Sequence, residues 1–163
     1  MTRPISRHPV ELGNPPVPNS QPKLSLPHHI ARILLGAALA FAGISHLTWS
    51  RTEFLAQVPP WVPLGADTVV LLSGAVEIAL GLSLIFLTRY QFQVGWLAAA
   101  FFVLVFPGNI AQLMYHRDAF GLNTDRARTI RLFFQPLLVL WALWSTGAWR
   151  QYRHSRLLNP SRD

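Results

Sequence analysis

Thr68-Val69-Val70-Leu71-Leu72-Ser73-Gly74-Ala75-Val76-Glu77-Ile78-Ala79-Leu80-Gly81-Leu82-Ser83-Leu84-Ile85-Phe86-Leu87 is the stretch that decides the fold. It holds one charged side chain, and as a helix it reaches about 30 Å, the thickness of a bilayer's hydrocarbon core. The run lacks the alternation of a membrane-barrel strand, so a helix is the form that satisfies its backbone within lipid. Three further runs share this character: Ile30 to Leu47, Phe92 to Met114 and Ile130 to Ala148. The predicted fold is all-α, a bundle of four transmembrane helices running up-down-up-down.

Composition agrees. Apolar residues make up 51 % of the 163 and charged residues 13 %, about half the charged share of a soluble domain. The net charge of +7 does not indicate nucleic acid, because such a binder gathers its basic residues on one folded surface. Here they flank apolar runs, so the expected partner is the lipid bilayer and no nucleic acid. The absence of cysteine excludes disulfides, thiolate metal sites and haem attachment through Cys-x-x-Cys-His. No metal site is expected either, since His46 is the one histidine inside a span.

Residues 1–29 are polar and rich in proline, and are expected to form a disordered cytoplasmic tail. Residues 30–149 form the membrane domain, and 150–163 a basic cytoplasmic tail. Ala40-Phe41-Ala42 mimics a signal-peptidase site, but the long leader and the three later spans favour a retained first span. With the N-terminus inside, the inner segments hold nine Lys and Arg and the outer loops five. That bias predicts N-in/C-in topology in a multi-pass protein, with a bacterial inner (plasma) membrane as the expected location. Thr88 to Gln91 reads as a tight inner turn. The first outer loop, Thr48 to Asp67, is stiffened by Pro59, Pro60 and Pro63, and is expected to lie on the membrane or fold over the bundle mouth.

Glu77 sits near the middle of its span, where a carboxylate costs about 2.5–3.5 kcal/mol to insert, so it should face the interior and is a functional candidate. Ser73, Gly74 and Gly81 share its face and suit close helix approach. The other spans offer polar groups toward their outer ends: His46, then Asn109 and Gln112, then Arg131 and Gln135. Counted inward at 1.5 Å per residue, His46 lies at about 5 Å, Asn109 and Gln135 at about 8 Å and Glu77 at about 13 Å. The groups are expected to line one pocket with Glu77 at its floor. The offset argues against a direct His46–Glu77 contact and for a link through water or Gln135. Glu77 and His46 are the candidates for proton handling. Asn109, Gln112, Gln135, Arg131 and Trp61 are the candidates for ligand binding. Pro107 and Pro136, next to these groups, each remove a helical donor and suit a cavity.

Ala42-Gly43-Ile44-Ser45-His46-Leu47, Val58-Pro59-Pro60-Trp61-Val62-Pro63, Ser73-Gly74-Ala75-Val76-Glu77 with Gly81, Phe106-Pro107-Gly108-Asn109-Ile110, and Arg131-Leu132 with Gln135-Pro136-Leu137 occur in that order. In these motifs the chain resembles the DoxX-like family of small four-helix membrane proteins, over about Ile30 to Trp149. Gly108 stands where Ala is expected. Some members are linked to quinone-coupled sulfur oxidation or to membrane redox complexes. The resemblance therefore implies a small accessory subunit that binds a quinone-like or lipophilic molecule, with a redox enzyme or a second copy of the chain as partner. There is no self-sufficient catalytic motif, so an enzymatic role would be that of an oxidoreductase subunit. Two alternatives stand beside this: a transport or channel component with Glu77 as a proton or cation site, and a non-catalytic scaffold that engages a partner enzyme through its basic tail.

Overall fold

A computed structural model describes residues 24–158. Among them the chain is helical, without strands: α1 (Leu26–Leu47), α2 (Arg51–Leu55), α3 (Ala66–Phe86), α4 (Gln91–Met114), α5 (Asp125–Ser145) and α6 (Ala148–Leu158), with a 3-10 turn at Thr88–Tyr90 before α4. Three helices are long and apolar enough to cross a membrane: α1, α3, and α4 with its leading turn. A fourth is added when α5 and α6 count as one bent span.

The helix boundaries have local causes. α1 begins at Leu26, four residues before the expected start, because Pro27 sits in the first turn, where its missing N–H has no partner to lose. Residues 26–29 of the expected disordered tail are thus helical, and its residues 1–23 lie outside the described part of the chain. The Thr124 hydroxyl accepts from the Ala127 N–H and caps α5, with Asp125 favourably placed against the helix dipole. The predicted fourth span, Ile130 to Ala148, is corrected at both ends. Its helix starts at Asp125 and stops at Ser145, where Gly147 takes a φ of 70° that a side chain would resist. The chain then bends by 63° into α6, so residues 150–158 of the expected basic tail are helical.

α1 packs most extensively on α3, and α4 on α5, whereas α3 and α4 touch sparsely. The first pairing rests on glycine. A Cβ at Gly43 would lie 2.5 Å from the Gly74 carbonyl oxygen, and one at Gly81 would lie 2.5 Å from that of Gly36. The two backbones meet through glycines seven residues apart on antiparallel helices, the close approach that small residues allow. Leu35, Leu39, Leu84, Val94, Ala98 and Phe102 fill the core, and the Trp141 indole N–H donates to the Ala31 carbonyl to tie α5 to α1.

Candidate functional site

A cavity of about 800 Å³ opens between these helices, lined by residues of α1, α3, α4 and α5 and by the segment after α2. Six of the seven candidates line it: Glu77, His46, Asn109, Gln135, Arg131 and Trp61. Most of the remaining lining is apolar, including Leu39, Phe101, Val105 and Leu138. Pro107 lines it too, while Pro136 does not.

His46 and Glu77 form a direct pair, which corrects the expected indirect link. The register that sets Gly43 against Gly74 and Gly36 against Gly81 puts Glu77 level with Ala40, six residues from His46. That is an axial offset of about 9 Å, close to the difference of about 8 Å between the depths counted along the spans. A helical side chain leans toward its own N-terminus. On antiparallel helices these two therefore lean toward each other, and His46 Nε2 comes to 3.3 Å from Glu77 Oε2.

The neighbours of the imidazole fix its protons. The Ser73 hydroxyl donates to the Val70 carbonyl at 2.9 Å, so its lone pair faces His46 Nδ1 at 3.0 Å. The Val70 carbonyl lies 3.4 Å from the same nitrogen. With acceptors on both sides, Nδ1 carries a hydrogen. Nε2 is then left facing Glu77 Oε2. Their approach does not meet hydrogen-bond geometry, and Glu77 Oε2 is left buried without a hydrogen-bond partner, in a residue only 8 % exposed. Unmet buried polar atoms of this kind are rare and costly.

Gln135 does not bridge to Glu77. It accepts from Asn109 Nδ2 at 2.9 Å and donates to the Phe102 carbonyl at 2.6 Å, five residues before Pro107, pairing α4 with α5. Arg131 stands over the Phe120 ring, 4.8 Å from its centre, and makes no ion pair among the described residues. Trp61 is 65 % exposed at the cavity rim.

Gln112 is the candidate that falls elsewhere. It is 1 % exposed and outside the cavity lining. Its Oε1 accepts from Gln57 Nε2 at 3.1 Å, and its amide approaches the Arg117 and Ala119 carbonyls, so it braces the loops. The segment from α2 to Gly65 closes the mouth, as one of the two expected loop placements requires. Arg117 donates to the carbonyls of Ala56 and Val58 at 3.2 and 2.9 Å, and the Phe120 N–H donates to the Glu53 carboxylate. Arg128, only 5 % exposed, pairs with Asp118 and Asp125 behind them. Phe54 lies against the His46 ring, with centres 3.3 Å apart. Gly108 makes room for the lid, since a Cβ there would meet the Gln57 carbonyl oxygen at 3.1 Å. Ser73, Phe54, Gln57 and Arg117 are the working residues that sequence reasoning did not select.

A family model described as a domain of unknown function, DUF8561, matches residues 35–146, and the chain belongs to that family. The matched region contains every residue of the cavity's polar set. No curated protein and no solved structure matches the chain.

Proposed function

We propose that this member of the DUF8561 family is a small accessory subunit of a membrane redox complex. It binds a quinone-like or other lipophilic, carbonyl-bearing molecule between four helices that run up-down-up-down, with both termini on the cytoplasmic side of a bacterial inner membrane. The observation that carries this reading is Glu77: a carboxyl whose Oε2 is buried without a hydrogen-bond partner beside an apolar cavity of about 800 Å³. Glu77 lines that cavity, so a ligand oxygen or hydroxyl can meet the carboxyl there, and the His46–Glu77 pair would hold a proton next to the ligand. Pockets for small molecules have this composition, mostly apolar with a few converging polar groups. The resemblance to DoxX-like proteins supports the choice of quinone.

The test is to purify the full chain from membranes in mild detergent and extract what accompanies it. Enrichment of a quinone over bulk lipid, reduced in Glu77→Gln, is the expected result. No enriched quinone or related molecule, and no effect of the substitution on binding added quinone, would sink the reading.

One observation favours the scaffold alternative alongside it. α6 turns away from α5 by 63° and carries Arg150, Arg153 and Arg156, a composition suited to an anionic membrane surface or an acidic partner. Loss of a co-purifying redox protein on truncation after Trp149 would favour that role.

A further inference from the structure

The cavity is covered on the loop side and open on its flank. The lid above it is held by the hydrogen bonds of Arg117, Gln112 and Glu53. Along the sparse α3–α4 contact, by contrast, the lining residues Leu72 and Val76 of α3 and Leu104 of α4 are 56, 43 and 75 % exposed. These are apolar side chains on helices apolar enough to lie in lipid, so the flank opening faces acyl chains and not water.

The lining is also graded along its length. On α1 it runs from Leu35 to His46, about 16 Å at 1.5 Å per residue. His46, Gln57, Ser73, Glu77, Asn109, Arg131 and Gln135 are its polar residues, while Leu35, Leu39, Phe101 and Leu138 are among the apolar ones that surround the rest. Arg131 lies over the Phe120 ring and is available to an oxygen of the ligand. A polar head and an apolar chain are accommodated together. A small polar solute finds few partners along most of the wall.

We infer that the occupant is a membrane-resident amphiphile with one long acyl or isoprenoid chain, which enters sideways through the α3–α4 seam. Its head reaches Glu77 and Arg131, and its chain lies across Leu72, Val76 and Leu104 toward the bilayer. The head's chemistry rests on the proposed function, whereas the route rests on the seam alone.

The full chain is reconstituted into phosphatidylcholine vesicles that include phosphatidylcholine with a diazirine on its acyl chain. After illumination the label is mapped by peptide mass spectrometry. Label is expected on the interior residues Leu39 and Leu138 as well as on the outward-facing Leu34 and Leu140. Val76→Trp with Leu104→Trp should cut interior label at least tenfold and leave outward label unchanged; if that pair fails to fold, Val76→Phe alone serves the same arm. An excess of a benzoquinone bearing a ten-carbon chain should compete with interior label, and the same ring without the chain should not.

Interior residues free of label in the wild type would overturn the inference, as would interior label indifferent to the seam substitutions. Equal competition by the two benzoquinones would overturn the role of the chain. Seam-dependent interior label that neither benzoquinone reduces would uphold the lateral route while rejecting the quinone reading. Glu77-dependent quinone binding with an unlabelled interior would do the reverse.

Discussion

Replacing Gly43 by alanine adds one methyl group where α1 meets α3. The new Cβ would lie 2.5 Å from the Gly74 carbonyl oxygen, 2.8 Å from Ile78 Cγ1 and 2.9 Å from the Ile78 nitrogen. Carbon contacts relax near 3.5–4.0 Å, so the two helices must part by about 1 Å. Two of the three obstructing atoms are backbone and cannot turn aside. Overpacking of this kind costs about 1–3 kcal/mol. Against it stands a gain of about 1 kcal/mol, because alanine is the better helix former. The net expectation is a loss of up to about 2 kcal/mol, seen as a lower melting temperature by circular dichroism in detergent. Gly36→Ala faces the same obstacle in the Gly81 carbonyl, at 2.7 Å. The double variant should lose less than the sum of the two, since the first methyl already opens the space for the second. Gly65→Ala, whose nearest contact would be at 3.7 Å, and the lipid-facing Leu72→Ala serve as controls. If Gly43→Ala melts at or above the wild type, or Leu72→Ala costs more than either glycine change, the buried face of α1 and α3 has been misidentified.

Other expectations follow from the lid, the polar pairs and the loops. Glu77→Gln should melt within about 1 kcal/mol of the wild type, since it keeps shape and hydrogen-bonding capacity, whereas a quinone-binding assay should lose at least tenfold in affinity. Gly108→Ala pushes on the Gln57 carbonyl oxygen from 3.1 Å and Arg117→Met releases two lid carbonyls. Both should speed hydrogen exchange at residues 51–58 while leaving α3 protected. Cysteines placed at Gln57 and Asn123 of this cysteine-free chain should react with an impermeant thiol reagent in intact cells, and one at Gln151 should not; the opposite pattern would reverse the proposed orientation.

Much of the helical plan was legible because hydropathy alone marks a span, and the glycines beside Glu77 marked its packing face. The fourth helix was less legible. Asp125, Arg126 and Arg128 read as loop by charge, yet Arg128 is buried against Asp118 and Asp125, so tertiary pairing carries the helix past the apolar run. The bend after Ser145 was also hidden. A single glycine with positive φ interrupts a sequence whose composition changes only gradually.

The site shows a sharper boundary between what a linear count can and cannot reveal. Counting residues along each span assigned an axial offset of about 8 Å to His46 and Glu77, and the glycine register gives nearly the same, about 9 Å. The inference that they do not touch failed because a count treats a residue as a point on an axis, whereas its functional atoms stand several ångströms away in a direction set by helix polarity. On parallel helices the two side chains would lean the same way and the gap would remain. On antiparallel helices the leans oppose, and the gap closes to 3.3 Å. Gly74 links this geometry to the packing, since a Cβ there would sit 2.7 Å from His46 Cβ. The glycine contact that holds α1 against α3 is therefore also what lets the imidazole reach the carboxyl. Gly74→Ala should accordingly move His46 off Glu77 even where the fold survives. A histidine ring NMR signal unchanged between Gly74→Ala and the wild type would break that link between packing and site.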